Sequence, residues 1–164
     1  MKVEDIMTKD VISVSPDTKL IEVAELLQNK KFNGVPVVRN RKVLGMITES
    51  DLLSRGSSSF HIPSLIKIFY EFQLEKYISK EKEKNFQPIF NATADLVMNQ
   101  DYIFVFPNDE ITKLIKIFQE KHVNPIPVVD EEKNLKGIVS LHDIINLISR
   151  FREAEIDFIS AAND

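Results

Sequence analysis

No cysteine occurs among the 164 residues, which excludes disulfide staples, thiolate metal sites and thiol nucleophiles. That absence agrees with a reducing compartment. A basic excess is missing too: 21 Lys and Arg stand against 25 Asp and Glu, a formal net charge of −4. The broad electropositive footprint of a nucleic-acid-binding protein is therefore not there. No apolar run approaches the roughly 20 residues that cross a bilayer. Met1 is followed by a charged, amphipathic start and not by an apolar secretory segment. The chain has neither Gly-x-Gly-x-x-Gly nor a P-loop. His61, His122 and His142 show no metal-ligand spacing, and no nucleophile–base pair stands out. These absences argue against an enzyme, a metal site, a nucleic-acid partner and a membrane partner, and they set the expectation of a soluble, cytoplasmic protein. The apolar fraction of 43% and charged fraction of 28% fit a globular chain, of a length that folds without staples.

What is present is a repetition. Met7-Thr8-Lys9-Asp10-Val11-Ile12-Ser13-Val14-Ser15-Pro16 returns as Met98-Asn99-Gln100-Asp101-Tyr102-Ile103-Phe104-Val105-Phe106-Pro107, 91 residues later. Val35-Pro36-Val37-Val38 returns as Ile126-Pro127-Val128-Val129 at the same spacing. Gly45-Met46-Ile47-Thr48-Glu49-Ser50-Asp51 returns as Gly137-Ile138-Val139-Ser140-Leu141-His142-Asp143 at a spacing of 92, so the second copy gains one residue after Val129. Two copies do not make a solenoid. They predict two similar units packed about a pseudo-two-fold axis.

Each copy reads strand, helix, strand, strand, helix, an α+β pattern. Leu20, Val23, Ala24 and Leu27 follow helical spacing after Asp17-Thr18, and Asn33-Gly34 ends that helix. Val35–Val38 and Val43–Ile47 read as strands about a turn at Asn40-Arg41, and Thr48 starts a second helix. In the second copy Ile103–Phe106 reads as a strand. Asp109 is the expected cap of a helix with Ile111, Leu114, Ile115 and Phe118 inside. Strands follow at Ile126–Val129 and Leu135–Val139, then a helix over Ser140–Phe151. The expected organisation is a first repeat at 1–55, a helical insert or linker at 56–92, a second repeat at 93–150 and a helical extension and tail at 151–164.

The chemistry-bearing pattern is Gly-apolar-apolar-(Thr/Ser)-x-x-Asp, present twice. Gly45 and Gly137 permit close backbone approach. Thr48 and Ser140 stand where strand becomes helix, where N–H groups attract phosphate. Asp51 and Asp143 follow one turn later, and a carboxylate there can accept hydrogen bonds from ribose hydroxyls, at about 1.5–3 kcal/mol. One copy alone is a common helix-start pattern. Two copies at matched positions favour a ligand. Asn33-Gly34 and Asn124-Pro125 each end a helix and open a strand, leaving groups that can pair with an adenine edge. Each is also a plain helix stop.

With these residues in view, the chain resembles a tandem pair of cystathionine-β-synthase-type (CBS) domains, the Bateman module. The features that carry the resemblance are the Asp5-Ile6-Met7-Thr8 opening, the Val-Pro-Val-Val strands and the two Gly-to-Asp segments, over about 1–55 and 93–150. The resemblance implies two βαββα CBS repeats packed through their sheets, and two adenosine sites, each mixing the copies. One would use Met46, Thr48 and Asp51 with Val123, Asn124 and Pro125. The other would use Ile138, Ser140, His142 and Asp143 with Phe32, Asn33 and Gly34. Thr8 and Asn99 would reach in. Arg39, Arg55 and Arg150 are the candidates for a phosphate. The resemblance implies a non-enzymatic regulatory module that requires no cofactor and takes AMP, ADP, ATP or S-adenosylmethionine as its regulator. It also implies a homodimer and a separate effector protein as partners. The alternative is an interaction or dimerisation module with unoccupied sites.

Overall fold

The structure, a computed structural model, describes residues 1–53 and 91–161. The expected insert at 56–92 lies outside the described residues except for Asn91 and Ala92, as do Arg55 and His61. The chain divides into two compact units. One is Ile12–Tyr102, and the other joins Met1–Val11 to Ile103–Asp164.

The first unit carries α1 (Leu20–Lys30), β1 (Gly34–Arg39), β2 (Lys42–Thr48), α2 (Glu49–Leu53) and α3 (Ala94–Val97). The second carries a 3-10 turn at Val3–Asp5, then α4 (Ile111–Lys121), β3 (Ile126–Val129), β4 (Leu135–Val139) and α5 (Leu141–Ala161). In the first unit β1 pairs antiparallel with β2, with Gly34 opposite Thr48. In the second, β3 pairs antiparallel with β4, with Ile126 opposite Val139. Both ladders slip at the same place, between Val37 and Val38 and between Val128 and Val129.

Helical spacing explains each core. Leu20, Val23 and Leu27 of α1 are buried against Val35, Val37 and Ile47. Leu114 and Phe118 of α4 are buried against Ile126, Val128 and Val139. Full burial of such side chains stabilises by about 1.5–3 kcal/mol each.

The opening strand of each copy is reduced to one residue. Val14 pairs parallel with Val37, and Val105 pairs parallel with Val128. The next N–H groups are drawn into turns: Ser15 N–H donates to Thr18 Oγ1 (3.0 Å) and Phe106 N–H to the Asp109 carboxylate (2.8 Å). Both main-chain groups of Val14 and Val105 bond the neighbouring strand, and the next residues that would face it, Pro16 and Pro107, have no N–H to donate, so Ile103–Phe106 is not a full strand.

Asp109 does not cap α4, contrary to expectation. Its carboxylate takes the Phe106 N–H and the Lys113 ammonium (2.8 Å). The N-terminal position falls to Glu110, which makes no side-chain cap bond. The reason lies at the start of the chain: the Ile111 N–H donates to the Met1 carbonyl (3.2 Å). The first unit repeats this arrangement, with the Leu20 N–H donating to the Ala92 carbonyl (2.8 Å). In both copies the segment preceding the other copy satisfies a donor that a helix start leaves open. Nor does glycine stop the helices. Lys31 (φ 55°) and His122 (φ 52°) take the left-handed conformation at the two C-caps.

The hairpins account for the extra residue of the second copy. Asn40 (φ 52°) and Arg41 (φ 70°) form a two-residue turn between Arg39 and Lys42, the geometry of a type I′ connection. The second hairpin is longer. Its Asp130 carboxylate accepts from the N–H groups of Glu132 (3.1 Å) and Asn134 (2.8 Å) and from the Asn134 amide (3.0 Å). The Asn134 amide, with the Asn134 N–H and Lys136, holds the Asp130 carboxyl down at about 2.

This backbone makes two stability predictions. Arg41→Gly removes a side chain from a left-handed position and should stabilise by about 1 kcal/mol, read as a higher urea midpoint. Alanine at Gly45 or Gly137 should destabilise. A Cβ at Gly45 meets the Asn99 main-chain oxygen at 2.9 Å, and one at Gly137 meets the Thr8 main-chain oxygen at 3.0 Å beside the Met7 side chain at 2.6 and 2.9 Å. A cost of about 1–3 kcal/mol is expected at each, and a midpoint unchanged from the parent in either variant would refute it.

Candidate functional site

Each unit builds the same polar corner where its second strand turns into a helix. In the first unit the Asp51 carboxylate accepts from the Thr48 N–H (2.7 Å) and the Thr48 hydroxyl (2.6 Å), both on Oδ2. In the second, Asp143 Oδ2 accepts from the Ser140 N–H (2.7 Å) and hydroxyl (2.7 Å). All four residues are half-buried. This is one half of a capping box, in which the third helical residue reaches back to the N-cap N–H. A carboxylate offers about four acceptor positions, so two bonds on one oxygen leave the other able to accept from a ligand hydroxyl.

The next N–H is also satisfied, but differently in the two copies. Glu49 N–H donates to the main-chain carbonyl of Asn33 (3.1 Å). Leu141 N–H donates to the side-chain oxygen of Asn124 (3.0 Å). The N–H groups of Thr48, Glu49, Ser140 and Leu141 are thus committed within the protein. These four are not open donors for a phosphate.

The other predicted residues fall around these corners. Phe32, Asn33 and Gly34 lead into β1 beside Thr48, and Met46 is buried two residues before it on β2. Met46 also exchanges two main-chain bonds with Asn99 (3.0 and 2.8 Å). Val123, Asn124 and Pro125 lead into β3 beside Ser140. Ile138 of β4 exchanges two main-chain bonds with Thr8 (3.0 and 2.9 Å). His142 is exposed in the first turn of α5. So Thr48, Asp51, Met46, Phe32, Asn33 and Gly34 share one unit, and Ser140, Asp143, Ile138, His142, Val123, Asn124, Pro125 and Thr8 share the other. Arg39 is paired with Asp17 (2.9 Å), and Arg150 is exposed on α5.

Sequence reasoning did not find the Asn124 cap or the double bonds of Thr8 and Asn99. The signal for the second was available in the glycines at 45 and 137, whose missing side chains leave room for those segments. Nearby, the Tyr102 hydroxyl donates to the Val43 carbonyl (2.8 Å), and burial pushes its phenol up, which keeps that donor protonated. Among the described residues no group of three His, Cys, Asp or Glu side chains could hold a metal ion. No helix among them is long and apolar enough to cross a membrane.

Residues 3–58 and 94–150 match the CBS domain family, and the chain belongs to that family as a tandem pair. It is similar to MJ1225 of Methanocaldococcus jannaschii, with 25% identity over 143 residues that cover 87% of this chain and 45% of that one. It therefore spans less than half of that relative's length. The crystal structure of MJ1225 has a TM-score of 0.70 and 26% identity, over 90% of this chain and 47% of that one. The structure of CBSX2 in complex with AMP has a TM-score of 0.68 at 20% identity, covering 92% of this chain and 98% of that one. The CBS domain pair of MJ0100, in complex with 5′-methylthioadenosine and S-adenosylmethionine, has a TM-score of 0.62 at 19% identity, over 91% and 96% of the two chains. The last two likenesses bear on the fold.

The capping geometry makes a prediction that needs no ligand. Asp51→Ala and Asp143→Ala should each cost about 1 kcal/mol of stability, and the Asn replacements distinctly less, because an amide oxygen still accepts from the N–H. Urea unfolding of the four variants checks this. Alanine variants as stable as the parent would show that the clamps contribute nothing to the fold.

Proposed function

We propose that the chain is a regulatory module that binds an adenine nucleotide or adenosyl compound through its two Thr/Ser–Asp corners. The single observation that carries the reading is the duplicated carboxylate. Asp51 and Asp143 are held in the same way at matched positions, each by two hydrogen bonds on one oxygen. The chemistry of related ligands supports it. AMP, 5′-methylthioadenosine and S-adenosylmethionine, which accompany CBSX2 and MJ0100, share adenosine and differ in whether they carry phosphate. Corners whose N-cap and first helical N–H groups are already taken suit recognition of the sugar. The ligand class is accordingly AMP, ADP, ATP or S-adenosylmethionine.

The pairing of Asp51 with Val123–Pro125, and of Asp143 with Phe32–Gly34, belongs to this proposal and rests on the family resemblance. So do a cytoplasmic homodimer, a separate effector protein, the absence of catalysis, and domain limits at 1–55, 56–92, 93–150 and 151–164. Ligand binding would shift the module between conformations only through differential affinity for them. One observation favours the alternative, an interaction module with unoccupied sites: the clamps are internally satisfied without any ligand.

Calorimetric titration of the full chain with AMP, ATP and S-adenosylmethionine tests the reading. At least one should bind. Asp51→Asn or Asp143→Asn should weaken it by about 1 kcal/mol, roughly fivefold, because a charged acceptor forms the stronger bond, while the capped fold is kept. No binding by the parent chain would leave the interaction module standing.

A further inference from the structure

The matched asparagines stand before different residues, and that decides which of them its own backbone can attack. Of the four glycines in the chain, one follows an asparagine, in Asn33-Gly34, and the counterpart in the second copy is Asn124-Pro125. Asn33 is exposed where the chain bends into β1, and its carboxamide makes no hydrogen bond among the described residues. The Asn33 carbonyl accepts from the Glu49 N–H (3.1 Å), on the β2 side. The peptide joining Asn33 to Gly34 is trans, so its N–H points the other way, out of the ladder. No main-chain group among the described residues accepts from it there.

A free carboxamide followed by an unheld amide nitrogen is the arrangement that closes a succinimide. The Gly34 nitrogen attacks Asn33 Cγ. A new N–Cγ bond forms, the Cγ–Nδ2 bond breaks, and ammonia leaves with the proton of the Gly34 N–H. Water then opens the ring at either carbonyl and gives aspartate or isoaspartate. No oxidant, cofactor or second protein enters. Glycine is the favourable neighbour because it has no Cβ to obstruct the approach and the fewest conformational limits. Asn124 is protected twice. Its side-chain oxygen holds the Leu141 N–H (3.0 Å), and the Pro125 nitrogen has no proton to lose. We propose that Asn33 is a spontaneous modification site, which ages the first corner and spares the second. In the isoaspartyl product the main chain runs through Cβ and Cγ. The former main-chain carbonyl, which holds the Glu49 N–H, becomes a carboxylate off the chain. Either product sets a negative charge next to Gly34, the residue opposite Thr48. None of this depends on the ligand reading above.

The test ages the full-length parent in mildly alkaline buffer, folded and, in parallel, unfolded by guanidinium chloride. Peptide mapping by mass spectrometry follows both. In the folded chain the peptide holding Asn33 should gain one mass unit and split into aspartyl and isoaspartyl forms. Its rate should lie within about tenfold of the unfolded chain's, because no buried contact has to open first. The peptide holding Asn124 should stay unchanged over the same time. Asn33→Ser, aged alongside, should lack the early acidic form on ion exchange. A folded chain that loses Asn33 more slowly than that overturns the proposal, because the fold then protects the site. Conversion of Asn124 as fast as Asn33, or an early acidic form that persists in Asn33→Ser, overturns it as well.

Discussion

The structure depends on reciprocal completion by short segments. The Met1 carbonyl accepts the first N–H of α4, and the Ala92 carbonyl accepts the first N–H of α1. A few residues later Thr8 exchanges two main-chain bonds with Ile138, and Asn99 does the same with Met46. Each segment precedes one copy in sequence and completes the unit that holds the other. Without them, two helix starts would expose orphan donors and two strands would lose a paired edge, each at a cost of about 1–3 kcal/mol if left buried and unsatisfied. The glycines at 45 and 137 make sense in this context. A side chain at either place would strike the segment that crosses it.

This arrangement also joins the candidate sites to the path of the chain. Met46, two residues before Thr48, is the residue bonded to Asn99, and Ile138, two residues before Ser140, is the residue bonded to Thr8. The chain passes from one unit to the other a few residues after Thr8 and Asn99, at Val11–Ile12 and Tyr102–Ile103. A ligand that altered the strand end at Thr48 or Ser140 would act within a few residues of those crossings. The bonds of Met46 and Ile138 thus lie close along the chain to both the corners and the crossings.

Much of this was legible in the sequence. The 91-residue spacing, the inward residues of α1 and α4, the paired strands and the two Thr/Ser-x-x-Asp corners all follow from periodicity and repetition, which are local properties. What was not legible depends on distant partners. The Asp109 cap fails because the Met1 carbonyl, at the other end of the second unit's sequence, already serves Ile111. Asn33-Gly34 reads as the helix stop, yet Lys31 accepts the left-handed backbone itself, two residues earlier. Propensity favours glycine there, but packing of Phe32 against the core fixes where the helix must end.

Thr48–Asp51 and Ser140–Asp143 are satisfied as helix caps and are also poised as acceptors. The two roles are compatible because they use different oxygens. A cap bond on Oδ2 fixes the carboxylate's rotamer, and a fixed carboxylate loses less side-chain entropy when a hydroxyl arrives at the other oxygen. In the proposed function, capping would therefore preorganise the carboxylate for a ligand hydroxyl and would not compete with it. The same logic separates the two asparagines. Asn124 is held by its cap. Asn33, whose main chain does the capping, keeps a side chain that can turn. Duplication produced two equal loops in sequence pattern, and the choice of which oxygen caps the helix makes them unequal in chemistry.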